Sequence, residues 1–167
     1  MRVFSALFVL LVAGCAPFGD TRQAQRYYVL EPKSEKAASL PVRLGAVTAS
    51  GFYDSEAIAY SRSPGTRGYY QLNRWTEPPA RRIGELLARQ AQDNGPVLNL
   101  HLLEMYHDAA SSPGTVRVSL AAELPGKKRV FTGTAAAASF DAQGAVRGFN
   151  EALGRILDEM ETWLRSD

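Results

Sequence analysis

The chain has 167 residues, of which 46% are hydrophobic and 22% charged, the composition of one ordinary globular domain rather than of a disordered or collagen-like chain. Its formal charge of +2, although most of the nineteen basic residues are Arg, supplies no general electrostatic drive toward nucleic acid. Cys15 is the single cysteine, which excludes an internal disulfide and the zinc sites built on two or four cysteines, and His101 and His107 are all the imidazole there is.

The N-terminus reads as an export signal: Arg2 gives a short positive start, Val3 to Val12 is apolar apart from Ser5, and the small residues Ala13 and Gly14 precede Cys15. The apolar run is about half of the roughly 20 residues that a membrane-spanning helix needs, so a permanent span is the weaker reading. Leu11-Val12-Ala13-Gly14-Cys15 resembles the bacterial lipobox. In a lipobox the cysteine thiol takes a diacylglycerol by a thioether bond, and cleavage leaves the cysteine as the N-acylated first residue. This reading divides the chain into a signal peptide (1–14), an acylated cysteine with a flexible tether rich in turn residues (15–25) and one folded domain (26–167). The covalent lipid on Cys15 is the only non-protein group expected; no dissociable cofactor or metal is. Ala16 follows Cys15 where Asp signals inner-membrane retention in enteric lipoproteins, which favours an outer-membrane address facing the periplasm.

Arg26 to Leu30 is an aromatic and β-branched run stopped by Pro32, and predicts a first strand. After a charged loop over 33–39, Val42 to Val47 alternates as a second strand. Ala57 to Ser61 and Gly68 to Leu72 flank a separator containing Pro64-Gly65, a turn signal, so they form a hairpin. The period then changes to helical: Thr76 as N-cap, Pro78 and Pro79 in the first turn, and Ile83, Leu86 and Leu87 on one face predict a helix over 78–93, ended by Asn94-Gly95-Pro96. Strands follow over 97–106, 116–124 and 129–139, with Pro125-Gly126 turning the second into the third. Val146, Phe149, Leu153, Ile156, Leu157, Met160 and Leu164 then mark an amphipathic helix over 143–165. The order ββββ-α-βββ-α implies an α+β domain: a mostly antiparallel, meandering sheet with two helices packed on one face. The run Ala135 to Ala138 fits a strand lying close under a helix, although propensity alone would make it helical.

Enzymatic signatures fail to appear, and the chain is read as a non-enzyme. There is no G-x-S-x-G elbow, and Gly126-Lys127-Lys128 lacks the rest of a P-loop. Glu104-x-x-His107 would share a face on a helix, but on the predicted strand the two side chains point oppositely. Asp108 with Ser111 and Ser112 is a contiguous loop cluster without the convergence that positions a nucleophile.

The unusual chemistry lies between Tyr53 and Pro79. Arg62, Arg67, Tyr69, Tyr70, Arg74 and Trp75 concentrate Arg and large aromatics, the residue types that dominate protein interfaces, on a hairpin and a helix entry. Trp75 can instead plug the core at the sheet-to-helix corner, and the arginines can be solvated. Arg81 and Arg82 are candidates for lipid phosphates or an acidic partner, against a plain solvated helix face.

The lipobox, the Tyr27-Tyr28-Val29-Leu30 strand, Ile58-Ala59-Tyr60-Ser61-Arg62-Ser63, Tyr69-Tyr70 and Asn73-Arg74-Trp75-Thr76-Glu77-Pro78-Pro79 together resemble the ABC-type transport auxiliary lipoprotein family. The likeness covers nearly all of the mature chain, the C-terminal half mainly in pattern. It implies a periplasmic docking lipoprotein that accompanies an ABC permease, its ATPase and a mammalian-cell-entry (MCE) domain protein in lipid transport between two membranes, with self-assembly as a further property. A second expectation is a lipid carrier holding an acyl chain between helices and sheet.

Overall fold

The computed structural model describes residues 23–34 and 39–166. The expected signal peptide, Cys15 and most of the expected tether therefore lie outside the described residues. Among the described residues seven strands are formed: β1 (Arg26–Tyr28), β2 (Arg43–Ala49), β3 (Ala57–Ser61), β4 (Gly68–Trp75), β5 (Val97–Asp108), β6 (Thr115–Leu124) and β7 (Lys127–Ala136). Two helices accompany them, α1 (Pro79–Ala88) and α2 (Ala142–Leu164), with a single 3₁₀ turn over Gly51–Tyr53.

The α+β class and the element order are as expected, while the sheet is mixed rather than mostly antiparallel. Its path is β1-β4-β3-β5-β6-β7. The hairpins β3–β4, β5–β6 and β6–β7 are antiparallel, but β1 runs parallel to β4, and both β2 and β3 run parallel to β5. The reason is the crossover through α1, which returns the chain so that β5 runs in the direction of β2 and β3. β5 is long enough for the two to share one of its edges end to end, β2 against Val97 to Leu102 and β3 against Tyr106 to Asp108.

Leu98, Leu100 and Leu102 alternate toward the helices, as a half-covered strand requires. They join Ile58, Trp75, Val118, Leu120 and Phe131 of the sheet with Ile83 and Leu87 of α1 and Phe149, Leu153, Ile156 and Met160 of α2 in one core. Both helices lie on this face, and Leu86 and Leu87 meet Leu157 and Met160 around one crevice of about 20 Å³. That is room for about one water.

α2 begins at Asp141, whose carboxylate accepts the Gly144 N–H at 2.7 Å. This bond above all, with the Ser139 hydroxyl, holds the Asp141 pKa below the ordinary carboxylate value. α1 starts one residue later than expected, with Pro79 at its first position and Pro78 rather than Thr76 as N-cap. The Thr76 N–H is spent on the Tyr28 carbonyl, which ties β1 to the helix entry.

The later part of β7 lies close beneath α2 because Gly133, Ala135 and Ala136 are small. A Cβ on Gly133 would stand 2.7 Å from the Ala152 carbonyl oxygen, and one on Gly148 would stand 3.0 Å from the Ala136 carbonyl oxygen. The alanine run is accordingly strand to Ala136, with Ala135 and Ala137 buried. The preceding turn uses Pro125 and Gly126, the latter at φ 77°, where a side chain would be strained.

Candidate functional site

The side of the sheet away from the helices carries the site. A register shift in β5 between Leu102 and Glu104 decides which side chains appear there. Before the bulge the even-numbered leucines face the core; after it Met105 and His107 do, which leaves Glu104 and Tyr106 on the open side. In the adjoining strands Ala59 aligns with Tyr106, and Tyr69 of β4 aligns with Ala59, so Tyr69 shares that side.

The 3₁₀ turn supplies the rest. Ser50 N–H donates to the Leu102 carbonyl at 2.9 Å, and this holds Phe52 and Tyr53 beside the hairpin. The Phe52 ring stacks on Tyr69 with centroids 4.4 Å apart and planes 16° from parallel, and the Tyr69 hydroxyl donates to the Phe52 carbonyl at 2.7 Å. Tyr53 meets Phe52 edge-on at 5.3 Å. Arg67, just before β4, places its guanidinium 3.7 Å from the centroid of the Tyr106 ring and donates from Nε to the Tyr53 hydroxyl at 3.1 Å. Its Nη2 lies 3.6 Å from Glu104, which also accepts from Arg117 Nε at 3.2 Å.

The outcome is an aromatic platform edged by two cations that share one carboxylate. Each Arg67 contact fixes a guanidinium that is otherwise free to rotate, so a partner would meet a preformed surface. Burial, with a smaller effect of Tyr53, pushes the Tyr69 phenol above its usual value and keeps it a neutral donor. Phe52 and Tyr69 remain exposed.

A second cluster occupies the helix-facing side of the same strands. His107 is fully buried; its Nε2 lies 2.8 Å from the Pro113 carbonyl and its Nδ1 lies 2.7 Å from the Tyr70 hydroxyl. A carbonyl only accepts, so Nε2 carries the proton, and Tyr70 must donate to Nδ1. Both ring nitrogens are thereby committed within the fold. Burial, with the nearby Asp141 carboxylate, pushes the Tyr70 phenol up to about 12, Arg62 acting in the opposite sense. Tyr60 packs on Tyr70 at 5.0 Å, and Arg62 stands 5.2 Å above the Tyr60 ring.

The residues expected to form one contact surface are thus divided. Arg67 and Tyr69 stand together on the open side. Tyr70 and Arg62 belong to the opposite cluster, and Arg74 lies farther along β4, aligned with Tyr27 of β1. Trp75 is corrected from a contact residue to a core one: it is 2% exposed and packs edge-on against Phe149 at 5.8 Å. Arg82 donates to the Leu30 carbonyl at 3.0 Å and, like Arg81, pairs with Glu77 and Glu85. Arg82 therefore ties α1 to the strand before it, whereas Arg81 stays on a solvated face. Glu104 and His107 do lie on opposite sides of the sheet, as strand geometry required. Among the described residues no group of three or more His, Cys, Asp and Glu side chains could hold a metal, and no helix is long and apolar enough to cross a membrane.

Phe52, Tyr106 and Arg117 are not singled out in the sequence; Tyr53 marks only the start of the unusual segment, and Glu104 is weighed only in the motif with His107.

No protein-family profile and no curated protein matches the chain. Among solved structures the chain is similar to a Xanthomonas campestris protein described as DUF330, with a TM-score of 0.70 and 19% identity over 82% of this chain and 93% of that one. It is also similar to the crystal structure of an uncharacterized protein, with a TM-score of 0.68 and 12% identity over 85% of this chain and 99% of that one. At such identities the likeness concerns the fold alone.

Proposed function

We propose that this chain is an outer-membrane lipoprotein, acylated on Cys15 and facing the periplasm, that acts as a docking auxiliary of an ABC-type lipid-transport system. Its contact surface is the Phe52–Tyr53–Arg67–Tyr69–Tyr106 platform, and its partner is the MCE-domain protein that works with the permease and ATPase. The observation that carries this reading is the platform itself: aromatics and a preformed arginine on a sheet face that neither α1 nor α2 covers, the composition of an interface hot spot. The lipobox and the family resemblance supply the setting. Transport energy would come from the partner ATPase.

The carrier alternative is disfavoured by packing. The space between the helices is a crevice of about 20 Å³ rather than a channel for an acyl chain, and the sheet beneath α2 is approached too closely to admit one.

The test is affinity capture of the full-length protein from native envelopes, with captured proteins and lipids identified by mass spectrometry. Recovery of an MCE-domain protein with its permease and ATPase supports the docking role. Stoichiometric phospholipid without those proteins would replace it by the carrier. Cys15→Ser should move the protein from the membrane to the soluble periplasmic fraction; retention on the membrane would contradict the anchor.

A further inference from the structure

We propose that the β1 edge of the sheet, carrying Arg26, Tyr27, Val29, Leu72 and Arg74, lies against the lipid headgroups of the membrane that holds Cys15. This inference rests on the acylation reading above.

The reach of the tether decides the side. Seven residues, 16–22, lie between Cys15 and Gln23, the first described residue, so eight residue steps separate the two. A chain of about eight steps spans about 16 Å as a random coil and at most about 29 Å fully extended. The chain emerges from the tether at β1, which is one edge of the sheet, whereas β7 is the other. Five inter-strand steps put β7 roughly 24 Å away in a straight line through the molecule. The path around its surface is longer, so the tether holds the β1 edge toward the bilayer.

That edge has the composition of an interfacial surface. Tyr27 is 57% exposed, Val29 41% and Leu72 39%, while the alternating Leu30 points into the core. Tyrosine suits the headgroup layer because its ring is apolar and its hydroxyl polar. Gln23, Ala24, Arg26, Leu72 and Asn73 line one open depression of about 340 Å³ where the tether joins the domain. Arg26 and Arg74 make no ion pair among the described residues, unlike Arg67, Arg81, Arg82 and Arg117, and each can turn its guanidinium to a lipid phosphate. The Glu56 carbonyl accepts the Trp75 N–H, which brings this acidic residue to the neighbouring strand end.

Because Cys15 is the only cysteine and acylation consumes its thiol, a cysteine introduced elsewhere is the one labelling site. The acylated protein would carry a fluorophore at Tyr27→Cys, Leu72→Cys or Val130→Cys, the last on β7. It would be reconstituted in phosphatidylethanolamine and phosphatidylglycerol vesicles containing a headgroup-nitroxide lipid. The expected result is loss of more than half the fluorescence at positions 27 and 72 and little loss at 130. Protein that floats with the vesicles but shows equal quenching at all three positions would overturn the assigned edge while leaving the anchor intact. Failure to float would overturn both. Shielding of positions 27 and 72 in detergent-free, non-acylated Cys15→Ser protein would mean that another protein chain, such as a second copy, covers the edge, and would overturn the lipid contact.

Discussion

The guanidinium of Arg67 lies 3.7 Å from the centroid of the Tyr106 ring, and this contact joins two distant parts of the chain into one aromatic platform. Arg67 comes from the turn of the β3–β4 hairpin, and Tyr106 from β5 beyond the helix. Neither the sheet order nor the core depends on it. A cation over an aromatic face at such a partly exposed site contributes about 0.5–1 kcal/mol, and the neighbouring ion pairs little more.

Arg67→Glu should therefore cost the fold no more than about 1–2 kcal/mol, read as a small fall in denaturant midpoint. It should reduce capture of the MCE-domain partner by tenfold or more, because it places a carboxylate beside Glu104 at the centre of the platform. Arg67→Lys keeps the charge but loses the planar fork and should give an intermediate loss. Unchanged capture by Arg67→Glu would remove the platform from the interface.

Tyr70 gives a pH dependence of stability at alkaline pH. Its folded pKa, about 12, lies above the usual value of 10, so its contribution is fully present below pH ~10 and is lost as pH rises from there through the folded pKa. Tyr70→Phe should abolish that part of the alkaline slope. At neutral pH it should also destabilise by about 1–3 kcal/mol, since it leaves the buried Nδ1 of His107 without its donor. Urea unfolding of both proteins at neutral and alkaline pH reads both effects; an unchanged slope would contradict the assignment.

Gly133→Ala should destabilise by about 1–3 kcal/mol although alanine is the smallest addition possible, because the new methyl would press on the Ala152 carbonyl of α2. The same change at Gly126 meets no neighbour but is strained by its positive φ. Thermal melts of the pair should both fall, with only Gly133→Ala weakening the protection of α2 amides from hydrogen exchange.

Much of the secondary structure was legible because it rests on periodicity. The apolar stripe from Val146 to Leu164 and the alternation of Leu98, Leu100 and Leu102 announce the faces that are in fact buried. The parallel pairings were not legible. Nothing in β2 or β3 signals that both will lie on one edge of β5, since that follows from the crossover and not from local pattern. The site was half legible for the same kind of reason. Arg67 and Tyr69 stand out by composition, but a one-residue bulge after Leu102 leaves no mark on composition, and it is this bulge that turns Glu104 and Tyr106 to the open side. Trp75 was open to both readings, partner contact and core plug, because tryptophan serves both interfaces and cores. Only its place against Phe149 decides between them.

The docking platform is tested most directly by a photo-crosslinking amino acid placed at Tyr69 of the full-length acylated protein in native envelopes, with the same residue at Val130 on the far edge as control. The account predicts a covalent adduct with the MCE-domain protein from position 69 and none from position 130. An adduct from position 130 with none from position 69 would contradict it.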